Sequence, residues 1–301
     1  MPDELTSADQ HSIFPNFAVT VDIAIFTVAP CGDGDDRQLQ VLLVERGKDQ
    51  TPHGGEWALP GGFVGLEETL EEAAALRLGE KTGINVVPDE LRQLGTFGDP
   101  KRDRRETADR VVTIAYAKLV AGCENPRPGG GVANAGFFPV ADICGPGLRE
   151  GTQKVLSAFD HWTIFEAALA RVREELEETP LAIEFLSKEF TISELHSIYR
   201  AVWGNAIHQL DPANFRRRVL AIKRRSKKEP AESFLEPILR EAKGPNGEGL
   251  PAMKKGRGRS AALYKFGGLK KLEPPYRMPL RMPQKAHLRE GRAVSRSKIK
   301  D

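Results

Sequence analysis

Cysteine is scarce in this chain of 301 residues: Cys31, Cys123 and Cys144 are all there is. They are odd in number and far apart, and no Cys-x-x-Cys pair or histidine-rich cluster accompanies them. That excludes a disulfide framework and supplies no zinc-ligand spacing, so no bound metal is expected, and reduced thiols in a cytoplasmic protein fit. A run of about 18 apolar residues is also missing, which excludes a membrane-spanning helix. Met1 to His11 is polar and acidic. It lacks the basic start and apolar stretch of an export signal, so none is expected.

Acidic residues are what the C-terminal fifth has little of. Residues 243–301 carry 16 Lys/Arg against 4 Asp/Glu, whereas the preceding 242 carry 28 against 38. The small overall charge of +2 is therefore the sum of +12 and −10. Such polarity suits a C-terminal part that faces a polyanion, or else a solvated basic tail. The length favours two domains, and 40% apolar residues is enough for a core in each.

The pattern along the chain divides accordingly, and no internal repeat is evident. Residues 1–14 are expected to be disordered. Phe17 to Val28 and Leu39 to Glu45 read as strands, separated by a Gly/Asp turn. A helix is predicted from Thr69 to Lys81, stopped by Gly83 as a left-handed cap. Val111 to Val120 is another strand, Asn125 to Gly136 a Pro/Gly-rich loop, and Phe137 to Val140 closes the unit. Strands flanking a helix over 15–150 predict a mixed α/β sandwich. From Thr152 to Glu178 apolar residues recur at helical spacing, which predicts an interdomain helix over 151–179. Thr191-x-x-Glu194 is a capping box for a further helix to about Trp203. Asp211-Pro212 opens another to about Lys223. Residues 229–249 read as an insertion with a short helix, Ala261 to Phe266 as a strand, and 268–301 as a basic disordered tail.

The chemistry-bearing segment is Trp57-Ala-Leu-Pro-Gly-Gly-Phe-Val64 with the helix behind it. Taking Gly62 and Glu68 as anchors, Gly83 and Ile84 fall where the Nudix signature has its second glycine and apolar residue. Over roughly residues 15–145 the chain thus resembles the Nudix superfamily. The resemblance implies an α/β/α sandwich and a ligand linked through a nucleoside diphosphate. That signature needs glutamates at i, i+3 and i+4 on one helix face to hold Mg²⁺ against a pyrophosphate. Here Leu76-Arg77 stands for Arg-Glu and Glu80-Lys81 for Glu-Glu. Only Glu80 remains of the three acids, and a one-residue shift puts Leu78 where the first acid belongs. No catalytic residue is therefore assigned, and a ligand pocket without a working hydrolase is expected. Glu67, Glu68, Glu71 and Glu72 read either as weak metal ligands or as the acidic first turns favoured by a helix dipole. Arg77 and Lys81 read as phosphate contacts or as surface charges. Arg46, Gly61, Gly62, Arg77, Glu80 and Asp99 are candidate ligand-binding residues. So are Trp57 and Phe63, which would stack on a base or fill core. The run Lys101 to Arg105 after Asp99-Pro100 is either a ligand loop or solvated.

In the second half, Asn214 to Arg218 lies in the first turns of its helix. Phe215, Val219 and Ile222 share one face, which leaves Asn214, Arg217 and Arg218 outward with Arg216 at the flank. Asn reads adenine and Arg reads guanine in the major groove. Lys223, Arg224, Lys254, Lys255, Arg257 and Arg259 suit phosphate or minor-groove contact by a wing. Glu174 to Pro180, Phe190 to Leu195, Asn214 to Arg217 and Ala261 to Tyr264 are similar to the C-terminal domain of Nudix-related transcriptional regulators. Over residues 15–266 that resemblance implies a winged helix-turn-helix at 180–267. It also implies a homodimer that represses NAD-biosynthesis genes from a palindromic operator and senses ADP-ribose or a related nucleotide sugar. No cofactor is implied. A Nudix pyrophosphatase with an appended nucleic-acid module is the alternative from the enzyme class.

Overall fold

The protein is described from a computed structural model covering residues 16–31, 36–103, 110–122, 124–147, 154–204, 211–224, 232–243, 249–254, 260–272 and 275–276. Its first half is built on a mixed sheet. Strand β1 (Phe17–Pro30) pairs antiparallel with β2 (Arg37–Arg46) on one side. Next come β3 (Trp57–Ala58) and β4 (Gly61–Phe63), which pair with β2 and β1 respectively. Helix α1 (Leu70–Thr82) follows. Strand β5 (Arg92–Phe97) pairs antiparallel with β6 (Arg110–Leu119), which runs parallel to β1 from Phe17↔Arg110 to Phe26↔Leu119. Strand β7 (Val132–Pro139) lies along β2.

Alternation along β1 decides what covers each face. Val21, Ile23 and Ile25 pack with Ala73, Ala74 and Leu78 of α1. Ala24, Phe26 and Val28 point the other way, onto Ile164, Phe165 and Ala168 of α2 (His161–Glu178). The helix expected between domains is therefore the third layer of an α/β/α sandwich. Its far end, Val172 and Leu176, belongs to the same continuous apolar cluster as the core of the second half.

Local chemistry sets the helix ends. Thr69 accepts from the Glu72 backbone N–H at 3.2 Å, and its own N–H donates to Glu72 Oε2 at 2.9 Å, which closes the capping box of α1. Gly83 ends the helix at φ 71°, a conformation that costs glycine nothing. Thr191 and Glu194 repeat the box for α3 (Ile192–Trp203). Asp211 Oδ2 accepts from the Asn214 N–H at 2.9 Å to start α4 (Pro212–Ala221), with Pro212 in its first turn. Strand Ala261–Phe266 sits between Phe190–Thr191 and Leu235–Pro237, and Met253–Lys254 also pairs with it.

Four expectations need correction. The helix predicted from Thr152 starts at His161: Lys154–Val155 instead runs parallel to Ile143–Cys144, and Phe159 takes φ 52°, which a helix forbids. The loop predicted to Gly136 is already strand from Val132, because β2 offers a free edge and Leu43 pairs with Gly136. The described parts of the 229–249 insertion are strands rather than a short helix. Phe234 and Leu235 are buried there, and Leu235–Pro237 pairs with Ala261–Phe266. The tail predicted from 268 is still packed at Tyr276. Leu269, Leu272 and Tyr276 are buried, and the Leu272 and Tyr276 N–H groups donate to Glu178 and Glu177 carbonyls at the end of α2.

Candidate functional site

Arg77 is the centre of the altered Nudix segment. Its Nη2 donates to both oxygens of Glu68 at 3.0 and 2.9 Å, its Nη1 to both of Glu80 at 3.1 and 3.0 Å, and its Nε to the Phe63 carbonyl at 2.9 Å. A fixed cation thus lies between the signature's Glu68 and Glu80, the one acid left at the three metal-holding positions. Gly62 makes the room: a Cβ there would lie 2.9 Å from Arg77 Cδ. The other acids of the turn are also engaged. Glu72 caps α1, and Glu71 accepts from the Tyr116 hydroxyl at 3.0 Å. Among the described residues no group of three or more His, Cys, Asp or Glu side chains is placed to hold a metal ion. The residues at the Mg²⁺ position do not fit that ion, since Arg77 and Lys81 repel it.

Beside this segment lies a cavity of about 330 Å³ floored by β1 and β4. Gly61 forms part of the wall, and a Cβ on it would lie 2.3 Å from the Val21 carbonyl. Arg46, Gly61, Gly62 and Phe63 line the cavity as the sequence suggested, and Lys81 joins them. Arg46 donates to the Pro52 carbonyl at 2.9 Å, and Lys81 Nζ donates to that of Gly130. Burial holds the Lys81 ammonium below the usual lysine range. Glu80 opposes this, and Arg46 and Arg77 add to it.

Arg77, Glu80, Trp57 and Asp99 are not among the lining residues. Trp57 packs edge-on against Phe138 at 4.8 Å, with Lys154 Nζ 4.1 Å from its ring centroid. Asp99 turns the following loop, accepting from the Lys101 and Arg102 N–H groups. The aromatic wall is Phe159, whose ring lies 5.1 Å from the Arg46 guanidinium carbon.

The deepest residues of the cavity are ones that the sequence reading did not single out. Asp22, on β1, lies 3.2 Å from Arg102 Nη2 and 3.4 Å from His161 Nε2, and all three are nearly inaccessible. The Leu59 N–H donates to His161 Nδ1 at 2.9 Å, so Nε2 carries the imidazole proton toward Asp22. Arg102 also grips Asp160 through Nε and Nη2, at 2.8 to 3.0 Å. Burial raises the Asp22 pKa, but the pairs with His161 and Arg102 outweigh it and leave the carboxyl below the usual range. A charged floor thus ties β1, the loop after β5 and the first turn of α2.

In the second half, Phe215, Val219 and Ile222 are buried as expected. Tyr199 of α3 is the hub beneath them. Its ring stands 5.3 Å from Phe215 and 5.2 Å from Tyr276, and its hydroxyl donates to the Leu176 carbonyl at 3.2 Å. On the outer face Arg217 Nη2 donates to Asn214 Oδ1 at 2.9 Å. Arg216 is drawn to the Tyr264 hydroxyl at 2.9 Å, and Arg218 lies over Tyr276. Lys223 is exposed. Arg224 is described only through its backbone strand, and Lys255, Arg257 and Arg259 lie outside the described residues. Lys254 reaches Glu194 at 2.6 Å.

The Nudix domain profile matches residues 25–159, and that of the NrtR DNA-binding winged helix domain matches residues 182–229. An ADPR-responsive transcriptional repressor of Acinetobacter baylyi is 34% identical over 213 residues, 70% of this chain and 75% of that protein. An ADP-ribose pyrophosphatase of Methanocaldococcus jannaschii is 32% identical over 127 residues, 42% of this chain and 69% of its own length. The crystal structure of Shewanella oneidensis NrtR with a 27mer DNA superposes with a TM-score of 0.51 at 28% identity. It covers 84% of this chain and 99% of that one.

Proposed function

Because this chain belongs to the NrtR family of Nudix-related transcriptional regulators, we propose that it is a DNA-binding repressor whose Nudix pocket binds ADP-ribose without cleaving it. The observation that supports the non-catalytic part is Arg77, which stands at the position of the first metal-holding acid and is paired with Glu68 and with Glu80, the one acid of the three that remains. Arg46 and Lys81 supply positive charge for a diphosphate, Phe159 an aromatic wall, and Gly61-Gly62 close backbone approach. Through α4, Asn214 and Arg217 reach base edges while Arg216, Arg218, Lys223 and the wing cations meet phosphates. A homodimer on a palindromic operator near NAD-biosynthesis genes, working in the cytoplasm, completes the reading. Among the described residues no helix is long and apolar enough to cross a membrane.

A second reading, ADP-ribose hydrolysis, is favoured by the likeness to the archaeal pyrophosphatase over the Nudix half. One pair of assays separates the two. Purified protein is incubated with ADP-ribose and Mg²⁺ or Mn²⁺, and then titrated onto operator DNA found by genome-wide footprinting. The repressor reading expects intact ADP-ribose and its release of DNA. Turnover near 1 s⁻¹, an ordinary enzyme rate, would establish the hydrolase instead.

A further inference from the structure

A second, larger cavity of about 650 Å³ opens where the two halves meet, and no feature of the reading above uses it. One wall is the start of β2 (Arg37, Gln38) with Pro139 and Val140. The other is Arg173 of α2, Arg200 and Trp203 of α3, and Pro212 at the start of α4. Its described lining residues include three arginines and His196 but no Asp or Glu. Arg200 is paired at the rim with Asp36, at 3.4 Å. Among the described residues, the only partner that Arg173 has is the Val202 carbonyl, which accepts from its Nε at 3.2 Å. Burial pulls Arg173 below the usual arginine range, and no carboxylate offsets it. Trp203 is 2% exposed, and its indole N–H has no hydrogen-bond partner among the described residues. Buried donors left in this condition are costly, and the cost is recovered when an acceptor arrives.

We propose that this cleft binds a small organic phosphate, with the phosphoryl group between Arg37 and Arg173 and the carbon skeleton against Trp203 and Val140. Guanidinium forks match a phosphoryl group in geometry and charge, and the volume suits a metabolite of sugar-phosphate size. Donors dominate the polar part of the lining (the three arginines and the Gln38 amide), which suits an occupant rich in oxygen acceptors. Because the walls come from the Nudix sheet and from both helices of the DNA-binding motif, an occupant changes DNA affinity. By linkage, DNA then changes the occupant's affinity by the same factor.

Calorimetry on the full chain tests this with glucose 6-phosphate and inorganic phosphate as probes, at low ionic strength. The expected result is one saturable site per chain that prefers glucose 6-phosphate. It should weaken tenfold or more in Arg37→Gln and Arg173→Gln and several-fold in Trp203→Phe, which keeps an aromatic ring but removes the indole N–H. It should change less than twofold in Arg46→Gln, which alters the Nudix pocket. Thermal melts identify a variant that fails to fold, and Trp203→Phe carries the test if Arg173→Gln does so. Absence of saturable binding overturns the proposal. Equal affinity for inorganic phosphate overturns the metabolite assignment, since the site would then read an ion alone. Loss in Arg46→Gln with retention in Arg37→Gln places the anion in the Nudix pocket and overturns it too. ADP-ribose titrations of Arg37→Gln and Arg173→Gln are expected to match the parent, so this outcome is separate from that of the repressor reading.

Discussion

The guanidinium carbon of Arg218 lies 4.4 Å from the centroid of the Tyr276 ring. A residue of α4 is thereby fixed by one that follows strand Ala261–Phe266, and the same ring packs on Tyr199 and Phe215. Tyr276→Ala is expected to cost about 3–5 kcal/mol, as for other large aromatic truncations in a core. Tyr276→Phe should be close to neutral, because the buried hydroxyl it removes has no hydrogen-bond partner among the described residues. Urea denaturation of both variants checks the pair; equal losses would mean that the hydroxyl, not the ring, matters.

Truncation extends the point. A chain ending at Gly268 loses the buried Leu269, Leu272 and Tyr276 and should melt well below the parent. One ending at Tyr276 keeps them but loses eight Lys/Arg against two Asp/Glu. It should melt like the parent and show a shallower dependence of DNA affinity on salt.

Asp22 gives a pH signature. Its carboxyl is held below the ordinary range in the folded protein, so its stabilisation is present above the unfolded value of about 3.9 and is lost as pH falls through the lower, folded value. Asp22→Asn removes one partner of a buried ion pair and is expected to cost about 3 kcal/mol at neutral pH. The difference between parent and variant should shrink below about pH 4. Guanidinium melts at pH 7 and pH 3 measure it, and a gap that widens on acidification would contradict the sign.

On the outer face of α4, Arg217 and Asn214 form one hydrogen-bonded unit, while Arg216 and Arg218 are held by tyrosines. Arg217→Ala and Asn214→Ala should each cost about 1–3 kcal/mol, felt mainly on the true operator. Their double variant should cost less than the sum, since each loss already breaks the other's geometry. Lys223→Ala should weaken operator and scrambled DNA alike and lower the salt slope by about 1. An unchanged operator-to-scrambled ratio for Arg217→Ala would remove α4 from base reading.

Restoring the missing acids is a further test. Arg77→Glu with Lys81→Glu places carboxylates at both altered positions next to Glu68 and Glu80. The double variant should gain a Mg²⁺-dependent rise in melting temperature, about 1.4 kcal/mol at ten times the dissociation constant. The parent should show none. An equal rise in the parent would mean that Arg77 yields to the ion.

Much of this was legible from local signals. The Thr191-x-x-Glu194 box and Asp211-Pro212 are each contained within about one helical turn, the Gly62-to-Gly83 spacing runs through one loop and the helix behind it, and each lies where the structure has the corresponding element. The floor of the first cavity was not legible. Asp22, Arg102 and His161 are separated by 80 and 59 residues and meet only once β1, the β5–β6 loop and α2 are packed. Arg102 reads as one more cation in a basic run, although it is buried while Lys101 beside it is exposed. Trp57 and Phe159 are both aromatic, and pattern alone gives no way to choose which enters the pocket. In the structure Trp57 is engaged by Phe138 and Lys154, and Phe159, at φ 52°, lines the cavity. The tail is not legible in the sequence because Leu269, Leu272 and Tyr276, although spaced i, i+3 and i+7, are only three apolar residues set among lysines and the Pro274-Pro275 pair, yet they pack at the end of α2.

Arg77 has one more consequence. A gauge that destroys what it measures lowers its own reading, and one that needs a second ion answers to two concentrations at once. On the repressor reading proposed above, a guanidinium seated between Glu68 and Glu80 would leave the ligand of the neighbouring pocket whole and make its binding independent of the magnesium level. Occupancy then follows a single variable, the amount of ligand present, and a drop in that amount reverses the signal as fast as the ligand leaves.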